Sequence, residues 1–249
     1  LQALFDAHPG QIAAVIMEPV TFTAPEPGFL QGVVDLAHKN GALAIFDEII
    51  TGLRWALGGA QQYFGVTPDL ACFGKSLGNG LPISAVVGRR EVMEIFDEIF
   101  FSFTFGGETL ALAAGLAVLE VMEREAVIAR LWQNGARLQE RVNQLAADHG
   151  LGQRVVCDGY PIWSHLSFRD EAGQESMLLR SLFQQEATKR GVLILVTHNL
   201  GASHEDVDFD LTLSAYDQAM DLLVQAIDDG RPERFLAGPA IRPVFRVRG

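Results

Sequence analysis

Leu70-Ala71-Cys72-Phe73-Gly74-Lys75-Ser76-Leu77-Gly78-Asn79-Gly80 (70–80) is the stretch whose reading decides the fold. A short apolar run stops at Gly74-Lys75 and passes into a glycine-rich turn. Such a run, bounded by turn residues, reads as a buried strand, and the glycines let the backbone approach a bulky ligand closely. A lysine there is poorly placed for a plain surface role. Burial would lower its pKa and favour the neutral amine that imine formation needs. Gly74-Lys75-Ser76 also suggests a phosphate loop, but that motif needs a glycine five residues before Gly74, and position 69 is Asp.

The pattern repeats on either side. Ile12–Met17 is an almost unbroken apolar run ending at Glu18-Pro19, Ala42–Phe46 ends at Asp47-Glu48, and Ser84–Val87 is a further run. Between the first two, Gly28–Asn40 carries Phe29, Val33, Val34 and Leu36 at helical spacing, with Gly41 as its stop. Strands alternating with helices, and apolar enough for burial on both faces, predict an α/β fold with a mainly parallel sheet. Sheets of this kind bind ligands at the carboxyl ends of their strands, so Glu18, Asp47 and Lys75 are expected at one crevice. A buried carboxylate at Asp47 calls for a cationic partner. A salt bridge or a helix cap would serve, and so would a protonated pyridine nitrogen.

Further along, Glu108–Met122 and Ala126–Ala147 read as helices. Beyond them, short β-like runs (Arg154–Cys157, Ile162–Phe168, Val192–Val196) mix with helical patterns at Glu175–Arg190 and Glu205–Ile227. The expected division is residues 1–122 as part of a large ligand-binding domain and residues 123–249 as a small C-terminal α+β domain. The arginine-bearing tail, Ile241–Gly249, reads as a docked or frayed end.

Composition narrows the partners. The chain of 249 residues has a formal net charge of −12, which repels phosphate backbones and argues against nucleic-acid binding. No apolar run is long enough to span a membrane. Cys72 and Cys157 have neither disulfide-framework nor metal-ligand spacing, as expected of reduced thiols in a cytoplasmic protein. His198 and His204 lack a familiar metal spacing too. The first residue is Leu, and Leu1, Leu4 and Phe5 have helical spacing until His8-Pro9-Gly10. The text therefore opens inside a helix, as a fragment or processed product would.

With these segments in place the chain resembles the class III, fold-type I, pyridoxal-phosphate (PLP) aminotransferases. The resemblance rests on Ala14–Val20 (AVIMEPV), Pro27–Leu30 (PGFL), Gly41–Arg54 (GALAIFDEIITGLR), Gly65–Leu70 (GVTPDL) and Gly74–Pro82 (GKSLGNGLP). Arg54 with Ala56–Gln61 is similar to the glutamate-1-semialdehyde aminomutase-like subgroup. The resemblance implies that Lys75 is catalytic and forms the internal aldimine with PLP. It implies that Asp47 binds the pyridine nitrogen, that Ile49 packs on the ring, and that Thr104 reaches the cofactor phosphate of the neighbouring subunit in a homodimer with shared active sites. It implies a small-molecule amino donor and carbonyl acceptor, with a substrate like glutamate-1-semialdehyde. Glu18 matches a family glutamate without an assigned chemistry.

The chain departs from the family's pattern in three places. The phosphate loop and ring-stacking aromatic lie upstream in the family, so this chain alone is expected to bind PLP weakly or not at all. Gly107-Glu108-Thr109 stands where the family usually has Gly-Asn-Pro. Thr197–His204 differs from the aminomutases' late segment, with His198 or Asn199 as a candidate substrate contact. An aminotransferase for another amino acid or an amino sugar is the main alternative. An inactive fragment that serves only in association is the other.

Overall fold

The structure is a computed structural model that describes residues 1–242. Most of the arginine-bearing tail read from the sequence lies outside those residues. The chain forms two compact units, one of Leu1–Ala129 and one beginning at Arg130.

The first unit contains α1 (Gln2–Ala7), β1 (Ala14–Met17), α2 (Phe29–Lys39), β2 (Leu43–Asp47), α3 (Ala60–Phe64), β3 (Leu70–Phe73), β4 (Ala85–Gly88), α4 (Arg90–Met93) and α5 (Thr109–Arg124). Helix α2 forms because Leu30, Val33, Val34 and Ala37 recur at helical spacing and are all buried on one stripe. The stripe packs with Phe5, Ala42, Ala44 and the fully buried Phe46 in one cluster. Strands β1, β2 and β3 run parallel and in order, with Met17 opposite Phe46 and Asp47 opposite Cys72. Strand β4 closes the order antiparallel to β3, so the sheet is mainly parallel with one antiparallel edge.

The amino end of β3 is tied by one carboxylate. Asp69 is almost fully buried. It accepts hydrogen bonds from the Ala44 amide at 2.7 Å and from Arg89 at 2.8 Å, and lies 2.8 Å from His38 Nε2. Burial alone would raise its pKa, but these partners outweigh burial and hold the carboxyl below its usual range.

The second unit begins within α6 (Val127–Asp148) and continues through β5 (Val155–Tyr160), β6 (Trp163–Phe168), α7 (Met177–Lys189), β7 (Thr197–His198) and α8 (Asp206–Asp228). The three strands are antiparallel in the order β5-β6-β7. A reciprocal cap between Glu205 and Asp208 starts α8. The run Val192–Val196, expected to be β-like, lies outside any strand. Only Thr197 and His198 pair with β6, and Leu193 and Leu195 project outward at 86% and 71% exposure. The run bonds to β6 only at its end, where the Val196 carbonyl accepts the Leu166 amide at 2.7 Å, so no ladder forms along the rest of it.

The centre of this unit is polar. His198 is buried, with Nδ1 2.8 Å from the Ser164 hydroxyl and Nε2 3.0 Å from the Tyr216 hydroxyl. Burial, and then the charge on His165, pushes the imidazole down to about 4. An unfolded histidine titrates at about 6.5. The neutral imidazole's contribution is therefore complete above that value and is lost as pH falls from there towards about 4. One proton at about 1.4 kcal/mol per pH unit gives a loss of about 3 kcal/mol over that window. Chemical denaturation at neutral pH and at about pH 4.5 should show this fall in the wild type. The fall should be smaller by a similar amount in His198→Leu, whatever that variant's stability at neutral pH.

Candidate active site

Parallel pairing puts the carboxyl ends of β1, β2 and β3 at one end of the sheet. Glu18 follows Met17, Asp47 ends β2, and Lys75 comes two residues after Phe73. The three strand-end residues singled out in the sequence therefore follow their strands on the same side.

Asp47 is half-buried, and its Oδ1 accepts the Ile49 amide at 3.0 Å. Its Oδ2 has no hydrogen-bond partner among the described residues. Its register partner Cys72 feels it: burial first, and the Asp47 charge second, raise the thiol pKa. Ile49 lies against the turn after β3. A Cβ placed on Gly74 would fall 2.9 Å from Ile49 Cδ1, so glycine is what permits this close approach.

Lys75 opens a short 3-10 turn, Lys75–Leu77, with a backbone φ of +39°. That left-handed conformation costs a non-glycine residue roughly 1–2 kcal/mol and is the kind of strain that collects at functional positions. The side chain is exposed, where burial was expected. The reason is positional: the chain turns out of the sheet after Phe73, so Lys75 stands beyond the last paired residue. No ion pair or hydrogen bond among the described residues holds its amine.

Glu48, between Asp47 and Ile49, was passed over in the sequence. It is fully buried. Its Oε2 accepts the Thr51 hydroxyl and the Ala60 amide, the latter at 2.7 Å, and its Oε1 accepts the Gln61 amide at 2.7 Å. Its own amide donates to the Cys72 carbonyl at 2.9 Å. A signal was available: an acidic residue directly after a buried strand, with Gly59 ahead of a short helix able to bring amides to it.

Thr104 is exposed in the turn before α5 and lines a cavity of about 1240 Å³ together with Ser84, Phe103 and Glu108. The N-terminus of the following helix is a ready place for an anion. In the structure Glu108 caps that helix, accepting the Leu110 amide at 2.9 Å and the Ala111 amide at 2.6 Å. A carboxylate already satisfies these amides and lends its negative charge to the positive end of the helix. Of the late-segment candidates, His198 has both nitrogens engaged inside its unit, while Asn199 is exposed and donates to the Thr197 hydroxyl at 3.3 Å. No group of three or more His, Cys, Asp or Glu side chains among the described residues could hold a metal ion.

The family model for aminotransferase class III matches residues 1–229. The chain belongs to that family. Two relatives are glutamate-1-semialdehyde 2,1-aminomutases. The one from Pelotomaculum thermopropionicum is 45% identical over 60% of this chain and 36% of its own length. The one from Syntrophobacter fumaroxidans is 36% identical over 86% of this chain and 53% of its own length. This class III chain thus spans about half, or less, of the relatives it matches. Its fold is that of PLP-dependent transaminases. The FumI protein of Sphingopyxis sp. MTA144, in its PLP internal aldimine form, matches with a TM-score of 0.84 at 26% identity, over 94% of this chain and 57% of that one. An omega-transaminase from Sphaerobacter thermophilus matches with a TM-score of 0.79 at 26% identity, over 88% and 54%.

The Glu108 cap is testable. Glu108→Ala should cost about 1 kcal/mol through the loss of both hydrogen bonds. Thermal melting should fall by a few degrees, and Glu108→Asp should recover part of the loss.

Proposed function

We propose that this chain is the Lys75-bearing part of a PLP-dependent enzyme that moves an amino group on a substrate like glutamate-1-semialdehyde. One observation carries the reading. Asp47 and Lys75 follow adjacent, register-paired parallel strands, with one Asp47 oxygen and the Lys75 amine both unengaged among the described residues.

The residues present fit the cofactor. Asp47 Oδ2 suits a protonated pyridine nitrogen, Ile49 offers an aliphatic face beside Gly74, and Lys75 offers an amine free of any ion pair. PLP, when bound, supplies an electron-accepting ring that spreads the charge left on a substrate carbon. Lys75 anchors the cofactor through Nζ. The Lys75 amine would also be the group able to take a proton from a substrate carbon and deliver it to another carbon, as general base and then acid. Asp47 would accept a charge-assisted hydrogen bond from a protonated pyridine nitrogen and so favour its protonated form. Ile49 excludes water from one face of the site. In this reading residues 1–122 belong to the cofactor-binding domain and residues 123–249 to a smaller one.

The substrate class follows the two aminomutase relatives and their identity to this chain. The second reading, an aminotransferase for another amino acid or an amino sugar, is favoured by the likeness to an omega-transaminase. A screen of amino donors separates the two. We also propose a homodimer. Phe100, Phe103 and Phe105 beside Thr104, and Leu110 and Leu116 on α5, are exposed apolar side chains, Phe100 to 95%. Exposed apolar patches mark interaction sites, and Thr104 beside these side chains suits a threonine that serves the partner's cofactor phosphate. No helix among the described residues is long and apolar enough to cross a membrane. The two cysteines are free, which supports a cytoplasmic location.

Lys75→Ala in the full-length protein should abolish the absorption of covalently held cofactor and lower turnover by on the order of 10²–10⁴. Asp47→Asn should retain absorption at reduced affinity. Neutral behaviour of both variants would end the reading. The 249-residue chain alone is expected to bind PLP weakly or not at all in a spectral titration. A tight, stoichiometric complex would show that these residues suffice to hold the cofactor. For the dimer, Leu116→Glu should shift sedimentation of the full-length protein towards monomer.

A further inference from the structure

Phe46 and Glu48 alternate with Asp47 along the strand direction. Period 2 sends the first two to the face that carries the core and leaves Asp47 on the other. A fully buried carboxylate at Glu48 must be satisfied by several donors, because each missing hydrogen bond to a buried charge is expensive. It is satisfied by the Thr51 hydroxyl and by the Ala60 and Gln61 amides. The Glu48 carbonyl also accepts the Gly52 amide at 2.8 Å. One side chain therefore gathers both ends of the 51–61 segment. The fit is close: Gly59 has φ +83°, and a Cβ there would fall 2.3 Å from Glu48 Oε2.

The consequence reaches the neighbours of Glu48. Its amide is bonded to Cys72 of β3, so the backbone just past Asp47 is fixed to the strand that leads to Lys75. The Asp47 carboxylate is oriented by the Ile49 amide at 3.0 Å. That amide belongs to the turn whose position the Glu48 carboxylate sets.

We infer that Glu48 is a positioning residue, whose buried carboxylate pins the turn that aims Asp47 and Ile49 at the cofactor ring. The inference rests on the cofactor reading above. Glu48 touches no reacting atom in it; Glu48 acts through Asp47 and Ile49. Glutamine in its place presents one accepting oxygen and turns an NH2 group towards an amide donor. It should release one end of the segment while conserving volume.

The test uses Glu48→Gln, with Thr51→Val as a milder variant that removes one donor only, and Asp47→Asn as the reference. Amide hydrogen exchange on the cofactor-free full-length protein reads the turn itself. Exchange over residues 49–61 should speed up at least tenfold in Glu48→Gln and less in Thr51→Val, with the rest of the sheet unchanged. PLP titration of the same proteins should show affinity lowered about tenfold or more in Glu48→Gln. The pH midpoint of the bound cofactor's absorption should move in the same direction as in Asp47→Asn, by less. Unchanged exchange over 49–61 would overturn the inference. So would faster exchange or a lower melting temperature with PLP affinity and pH midpoint at wild-type values, since a merely structural glutamate would behave that way. If Asp47→Asn leaves affinity and midpoint unchanged, the cofactor reading itself fails, and the cofactor role of Glu48 falls with it. If Glu48→Gln does not fold, Thr51→Val decides by the same readouts.

Discussion

The parallel pairing of β2 with β3 is the constraint on which the rest of the first unit depends. Asp47 opposite Cys72 fixes where β3 ends relative to β2. A slip of one residue would turn every side chain of a strand to the other face. Phe46 would leave the core, and Asp47 would enter it as an uncompensated charge. The apolar cluster around Phe46 and α2 therefore sets the register, and the register sets the positions of Asp47, Ile49 and Lys75. Packing on one face of the sheet thus fixes where side chains stand at its carboxyl end.

Stability and function divide along the strands. The amino end of β3 is closed by the Asp69 network, in which a buried carboxylate meets an amide, an arginine and a histidine. The carboxyl end breaks local rules. Among the described residues Asp47 leaves an oxygen unengaged, and Lys75 takes a strained backbone conformation with its amine unengaged. Sequences that specify a fold tend to break such rules where function requires it.

Much of the first unit could be read from the sequence because its signals are local. Apolar runs ending in Glu18, Asp47 and Lys75 mark strands and their ends, and Gly28 and Gly41 bracket a helix whose apolar stripe is regular. What escaped depended on chain that is distant or absent from a local window. The exposure of Lys75 follows from where pairing stops, and Val192–Val196 stays outside any strand because bonding to β6 begins only at Val196. Glu108 was visible as a departure from the family's Gly-Asn-Pro, but its capping geometry needs the start of α5. Glu48 sat between two residues already chosen, and two of its carboxylate's three partners lie 12 and 13 residues ahead.

The contrast between Glu48 and Glu108 shows how burial decides what a carboxylate at helix amides can do. Both accept two backbone amides at a helix start. Glu108 is partly exposed at the end of a long helix. Water can replace either bond there, so the cap contributes stability and little else. Glu48 is fully buried. Water cannot replace its bonds, and any movement of its side chain strands donors in a dry interior. The same chemical group is therefore adjustable at one site and rigid at the other. In the proposed cofactor role of Asp47 and Ile49 that rigidity would matter, because a site displaced by about 1 Å can lose on the order of a hundredfold in rate.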